Sequence, residues 1–105
     1  MEKFKKIVVV DETKMNTSAL KELKNYADEV EVYHDEPTEK EVKSRVEDAE
    51  AIIVSWRTEI SEEIIDTAKN LKYIGMACSL FDNESANVAV NYAKQKNIEV
   101  TGIFD

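Results

Sequence analysis

Glycine is almost absent: Gly75 and Gly102 are the only two in 105 residues. That excludes the glycine loops that let a backbone close on a phosphate. Both G-x-G-x-x-G and the Walker A pattern need several glycines within a short span. These residues carry no standard dinucleotide cradle. Cysteine is scarcer still. Cys78 stands alone, so no internal disulfide and no Cys-rich metal site can form, and the composition suits a reducing cytoplasm. Long apolar runs are missing as well. The basic residues Lys3, Lys5 and Lys6 lead only into the short apolar run of residues 7–10, and Asp11 and Glu12 follow. A secretory signal needs a longer apolar stretch, and a membrane helix one of about 20 residues.

Positive charge is outnumbered, with 14 Lys and Arg against 22 Asp and Glu for a net charge of -8. Such a surface repels phosphate backbones and anionic lipid, so neither nucleic acid nor a membrane is an expected partner. The acids are spread along the chain, as on a solvated surface. The apolar fraction of 43% is enough to fill the core of one domain over residues 1–105.

The apolar residues fall into alternating patterns. Residues 6–10 are a β-branched run. Leu20, Leu23 and Ala27 share one helical face over residues 16–27, with Asn16 or Thr17 as N-cap. Residues 29–33 alternate as in a strand near a sheet edge. Thr38 and Glu41 have capping-box spacing, and Val42, Val46 and Ala49 follow on one face. Residues 51–54 are continuously apolar, the mark of a central strand covered on both sides. Ser61 caps the next helix, with Glu62 and Glu63 in its first turn, and Ile60 and Ile65 at hydrophobic-staple spacing. Residues 73–77 form another buried strand, residues 85–96 a helix ended by Asn97, and residues 98–101 a fifth strand.

This β-α-β-α-β-α-β-α-β series predicts an α/β, flavodoxin-like three-layer sandwich. Its five-stranded parallel sheet would have the order 2-1-3-4-5, with about four helices. Right-handed crossovers then put the first helix on one face and the next three on the other. One helix cannot cover five strands, so apolar residues of strands three and four are expected to stand open. Self-association, or docking of a partner, is expected there.

Ligands of such sheets bind beyond the carboxyl ends of the strands. Residues 11–15, 34–37, 55–58 and 78–83 lie there. Cys78 and His34 would follow strands three positions apart, roughly 14 Å, which is too far for a nucleophile–base pair. Asp11 and Glu12 resemble the acidic start of phosphoreceiver domains. The places where those domains need an aspartate and a lysine hold Ser55 and residues 102–105, so loop acids are the better reading. Ser55, Trp56, Arg57 and Thr58 put two hydroxyls, an aromatic ring and a guanidinium in one loop. Arg57 can fork onto a carboxylate, and the amides of residues 78–81 can add donors. The alternative is that Trp56 packs a helix end and Arg57 pairs with Glu59 or Glu62.

Leu71-Lys72-Tyr73-Ile74-Gly75-Met76-Ala77 resembles the LKxI run that enters the fourth strand in the D-isomer-specific 2-hydroxyacid dehydrogenases. Phe81-Asp82-Asn83 resembles part of that family's G-x-D-N-x-D loop. Residues 89–101, ending Lys96-Asn97-Ile98-Glu99-Val100-Thr101, are similar to its A-x-x-x-G-I-x-V-T stretch. Two positions depart from the pattern. Leu80 replaces the glycine before the aromatic, and Ser85 the second aspartate. The resemblance implies the substrate-binding (catalytic) domain of an oxidoreductase that transfers hydride between NAD(H) and a 2-hydroxy or 2-keto acid. It implies a chain that stops short of the cofactor-binding half, which supplies NAD and the catalytic groups. That half and the small acid are the implied partners. No catalytic, cofactor or metal residue is carried over. The implied substrate-binding residues are Ser55, Trp56, Arg57, Cys78, Ser79 and Leu80. A flavodoxin-like interaction module that has lost the site is the alternative, and Leu80 in the glycine's place favours it.

Overall fold

The structure is a computed structural model and describes residues 3–13, 17–55, 58–76 and 88–102. Its elements follow in strict alternation. They are β1 (Phe4–Val9), α1 (Thr17–Glu22), β2 (Ala27–Val32), α2 (Glu39–Val46), β3 (Ala51–Val54), α3 (Glu62–Thr67), β4 (Tyr73–Met76), α4 (Val90–Gln95) and β5 (Glu99–Gly102). The sheet is entirely parallel in the order β2-β1-β3-β4-β5. The expected fold class is therefore the observed one.

Strand alternation divides the core in two. On one face Val8, Val10, Ile52, Val54, Ile74 and Met76 pack with Val42 and Val46 of α2, Ile64 and Ile65 of α3, and Val90 and Ala93 of α4. On the other, Ile7, Val9, Ala51 and Ile53 pack with Leu20 of α1 and Leu23. One helix against three is the division that right-handed crossovers require. Each fully buried Val or Ile contributes about 1.5–3 kcal/mol through removal from water.

Local signals set the helix starts. Thr38 caps α2: its Oγ1 accepts from Glu41 N at 3.2 Å, and Glu41 Oε1 accepts from Thr38 N at 3.0 Å. Ser61 caps α3 by accepting from Ile64 N at 3.3 Å. Asn97 takes φ of 64°, the left-handed conformation expected after α4.

Three expectations need correction. The first helix does not run to residue 27. It ends at Glu22, a 3-10 turn spans Leu23–Asn25, and Ala27 opens β2. Ala27 fits the helical spacing, but pairing with Phe4 draws it into the sheet, where Phe4 N donates to Tyr26 O at 2.8 Å. The last helix does not include residues 88 and 89. Val88 instead makes a parallel bridge with Ile60, and helix begins at Val90, while residues 85–87 lie outside the described residues. The sheet face beside α1 is not left open over β3. Ala51 is 1% exposed and Ile53 3%, and among the described residues Tyr26 is the one exposed large hydrophobic. The reason lies in the neighbouring residues. Phe4, Leu20, Leu23 and Tyr73 close around β3, and Gly75 of β4, in line with Ile53, brings no apolar side chain to that face. Tyr73 turns its hydroxyl to that of Thr101 on β5. Self-association through an open β3 face loses its premise.

Candidate functional site

All five strands run the same way, so their carboxyl ends share one edge of the sheet. β1 lies between β2 and β3, and the loops after all three converge on its end. Val10 N still pairs with Ile53 O at 2.9 Å. Beyond it, on the β3 side, side chains replace the backbone ladder.

Asp11 is the centre of one cluster. It is 1% exposed. Its Oδ1 accepts from Ser55 N at 2.9 Å. Its Oδ2 accepts from Thr58 Oγ1 at 2.6 Å and also from the Ser55 hydroxyl. Ser55 and Thr58 are themselves buried, at 3% and 7% exposure. A carboxylate has lone pairs for about four donors, and charge makes each bond stronger than a neutral one. This carboxylate therefore holds both ends of a two-residue span. The far side of the same loop is held as well. Ile60 bridges Val88, with Ala89 N donating to Ile60 O at 2.9 Å. The chain leaving β3 is thus tied to the chain that enters α4.

Arg45 of α2 organises the other side. Its Nη1 donates to Val10 O at 2.8 Å, and its two terminal nitrogens fork onto Asp35 at 2.7 and 2.8 Å. The guanidinium also lies 3.9 Å from the centre of the Tyr33 ring. Arg45 beside it holds the Asp35 carboxyl below the usual carboxylate range, and Asp35 raises the pKa of the guanidinium in turn. Glu12 N adds a bond to Asp35 O at 3.0 Å. His34 is mostly exposed and its Nδ1 lies 3.3 Å from Glu12 Oε1.

Of the six residues singled out for substrate binding, Ser55 is described. It sits at this edge as expected, but its hydroxyl proton is turned inward to Asp11. Trp56, Arg57, Cys78, Ser79 and Leu80 lie outside the described residues. No group of three or more metal-ligating side chains occurs among the described residues, and no helix among them is long and apolar enough to cross a membrane. Asp11, expected as a loop acid, is instead buried and bonded to Ser55 and Thr58, and Arg45 is singled out by no motif. An acid closing an apolar strand, opposite two hydroxyls three residues apart, was the available signal for Asp11. For Arg45 it was a long cation set between Val42 and Val46 on the buried side of its helix.

The profile of the D-isomer specific 2-hydroxyacid dehydrogenase catalytic domain matches residues 7–104. The chain belongs to that family. A Staphylococcus saprophyticus protein, provisionally named a 2-hydroxyacid dehydrogenase, is 42% identical over 60 residues, which are 57% of this chain and 18% of that protein. Among solved structures, the PH0520 protein of Pyrococcus horikoshii superposes with a TM-score of 0.79 at 33% identity, over 94% of this chain and 27% of that one. The NAD+-bound 3-phosphoglycerate dehydrogenase of Entamoeba histolytica superposes with a TM-score of 0.74 at 27% identity, over 93% of this chain and 32% of that one. The chain thus spans about a third or less of the length of the relatives it matches.

Proposed function

We propose that the chain is the substrate-side domain of an NAD-dependent D-2-hydroxyacid dehydrogenase. In the whole enzyme, hydride would pass between NAD(H) and a 2-hydroxy or 2-keto acid. Family membership supports the reaction class. The observation that carries the reading at the level of the site is the Asp11 anchor. It fixes Ser55 and Thr58 at the sheet edge where an open α/β fold receives ligands. The two residues between them in sequence are Trp56 and Arg57. A guanidinium pairs with a carboxylate through two parallel bonds, which recognises the acid group and orients it. Backbone amides of Cys78, Ser79 and Leu80 add donors to the same carboxylate. Ser55 contributes as an anchor rather than as a donor to substrate.

NAD is not bound by these residues in this reading. It is held by a cofactor-binding half, whose chemistry supplies the hydride and the acid–base groups. That half is the partner that completes the cleft. A cytoplasmic location suits the single cysteine, Cys78, and small polar substrates.

Titration of pyruvate into isotopically labelled protein tests the proposal. The amide signals of Ser55, Thr58 and their neighbours move first and saturate. Shifts confined to another surface, or none at millimolar pyruvate, would point instead to an interaction module that kept the fold and lost the site.

A further inference from the structure

We infer that Asp11 is a positioning residue for carboxylate recognition: it acts through Ser55 and Thr58, setting where the loop after β3 is presented. The inference rests on the proposed function above. Three observations carry it beyond a structural role.

The first is what the carboxylate replaces. Val10 O, the first carbonyl beyond β1, is taken by Arg45 at 2.8 Å. The Ser55 amide is received by a side chain instead, Asp11 Oδ1 at 2.9 Å. At this point the Ser55 amide is held by Asp11 and not by the sheet ladder.

The second is convergence. The hydroxyls of Ser55 and Thr58 both end on Asp11 Oδ2. Two residues of the sequence lie between those anchors, and one oxygen atom receives both hydroxyls. The bridge between Ile60 and Val88 extends the same frame to the chain that follows the loop after β4. The chain leaving the loop after β3 is thereby tied to the chain entering α4.

The third is cost. A carboxylate 1% exposed is held against a desolvation penalty that an apolar side chain of similar volume would not incur, and such buried charges often add little net stability. What an apolar replacement cannot supply is one acceptor centre for three donors. Orientation is the property that depends on the charge.

The test is pyruvate affinity, read from amide shifts in the full chain beside the thermal midpoint, for Asp11→Asn, Thr58→Val, Thr58→Ser and the core control Val46→Ala. Asp11→Asn keeps the shape but offers one acceptor atom in place of two. Asp11→Asn and Thr58→Val are expected to bind roughly tenfold more weakly, because small misplacements of a binding group are costly. Thr58→Ser, which keeps the hydroxyl and loses the methyl, restores the affinity. Val46→Ala lowers the midpoint and leaves affinity at the wild-type value. If Asp11→Asn does not fold, the two Thr58 variants decide. Wild-type affinity in Asp11→Asn, or in Thr58→Val where that pair decides, overturns this inference and leaves the proposed function standing. So does an affinity that follows the midpoint in every variant, Val46→Ala included. A wild-type protein that shows no shift overturns the proposed function and this inference together.

Discussion

Single residues at the end of β1 carry more of this molecule than their number suggests. Asp11 is the acceptor shared by the Ser55 amide and two hydroxyls in a site closed to water. Asp11→Ala removes that acceptor. Each buried polar group that loses its partner costs about 1–3 kcal/mol. The expected loss is about 3 kcal/mol, measured by urea denaturation. A loss below about 0.5 kcal/mol, within the range of ordinary surface changes, would mean the carboxylate holds nothing. Arg45 gives a prediction in pH. The Asp35 carboxyl lies below its ordinary range because Arg45 holds it. A group with a depressed folded-state pKa stabilises the fold above its unfolded value, and that contribution is lost as pH falls through the folded one. Between about pH 5 and pH 2 the wild type should therefore lose stability more steeply than Arg45→Met. Identical acid limbs in the two proteins would remove Arg45 as the cause.

Among the elements, α2 shows how local chemistry and packing share the work. It has eight residues, too few to hold together alone in water. Its capping box satisfies the first turn, and Val42 and Val46 anchor it to the sheet. Thr38→Ala should cost about 1 kcal/mol, read as a lower denaturation midpoint. No change in midpoint would place the whole burden on the two valines. Such local devices are what a sequence exposes. Thr38 with Glu41, Ser61 and Asn97 are all signals within a few residues of the elements they end or begin, and each is found in its expected place. The unbroken apolar run Ala51–Val54 is likewise legible as a central strand, since it is short and three of its four residues are β-branched. Ala27 is not legible in this way. Its spacing from Leu23 is helical, and only pairing with Phe4, distant in sequence, makes it a strand residue. Val88 is hidden for the same reason, because its bridge partner Ile60 is 28 positions away. The candidate site divides on the same principle. Ser55 can be placed at the sheet edge from the position of β3 alone. That its hydroxyl turns inward depends on Asp11, 44 residues earlier, and no local pattern carries that contact.

At the scale of the whole chain, the proposed function asks these residues to recognise a substrate and not to transform it. Its two glycines leave no loop in which a backbone can approach a pyrophosphate. Gly75 lies in β4, paired with Ile53 on one side and Thr101 on the other, so it is committed to the sheet. Gly102, in β5, pairs with Met76 of β4. Hydride transfer needs the nicotinamide and the reacting carbon held in contact, together with a group that moves a proton to or from the substrate oxygen. The described carboxyl edge offers Asp11, already engaged by Ser55 and Thr58, Asp35, engaged by Arg45, and the Glu12–His34 pair on the open side of β2. The one among these that reaches the loop after β3, Asp11, is already taken up by the donors of Ser55 and Thr58, and the others lie beside β2. The 105 residues alone should therefore give no saturable enhancement of NADH fluorescence and no turnover of any 2-keto acid, while pyruvate still shifts the amides around Ser55. Turnover should appear when the chain is joined to, or mixed with, the cofactor-binding half of a family dehydrogenase. Loss of that turnover in Arg57→Met, with NADH binding by the partner half unchanged, would assign the contribution of this chain to the acid and not to the cofactor. Saturable NADH binding or turnover by the 105 residues alone would instead show a nucleotide site of a kind that needs no glycine loop, and would remove the division of labour proposed here.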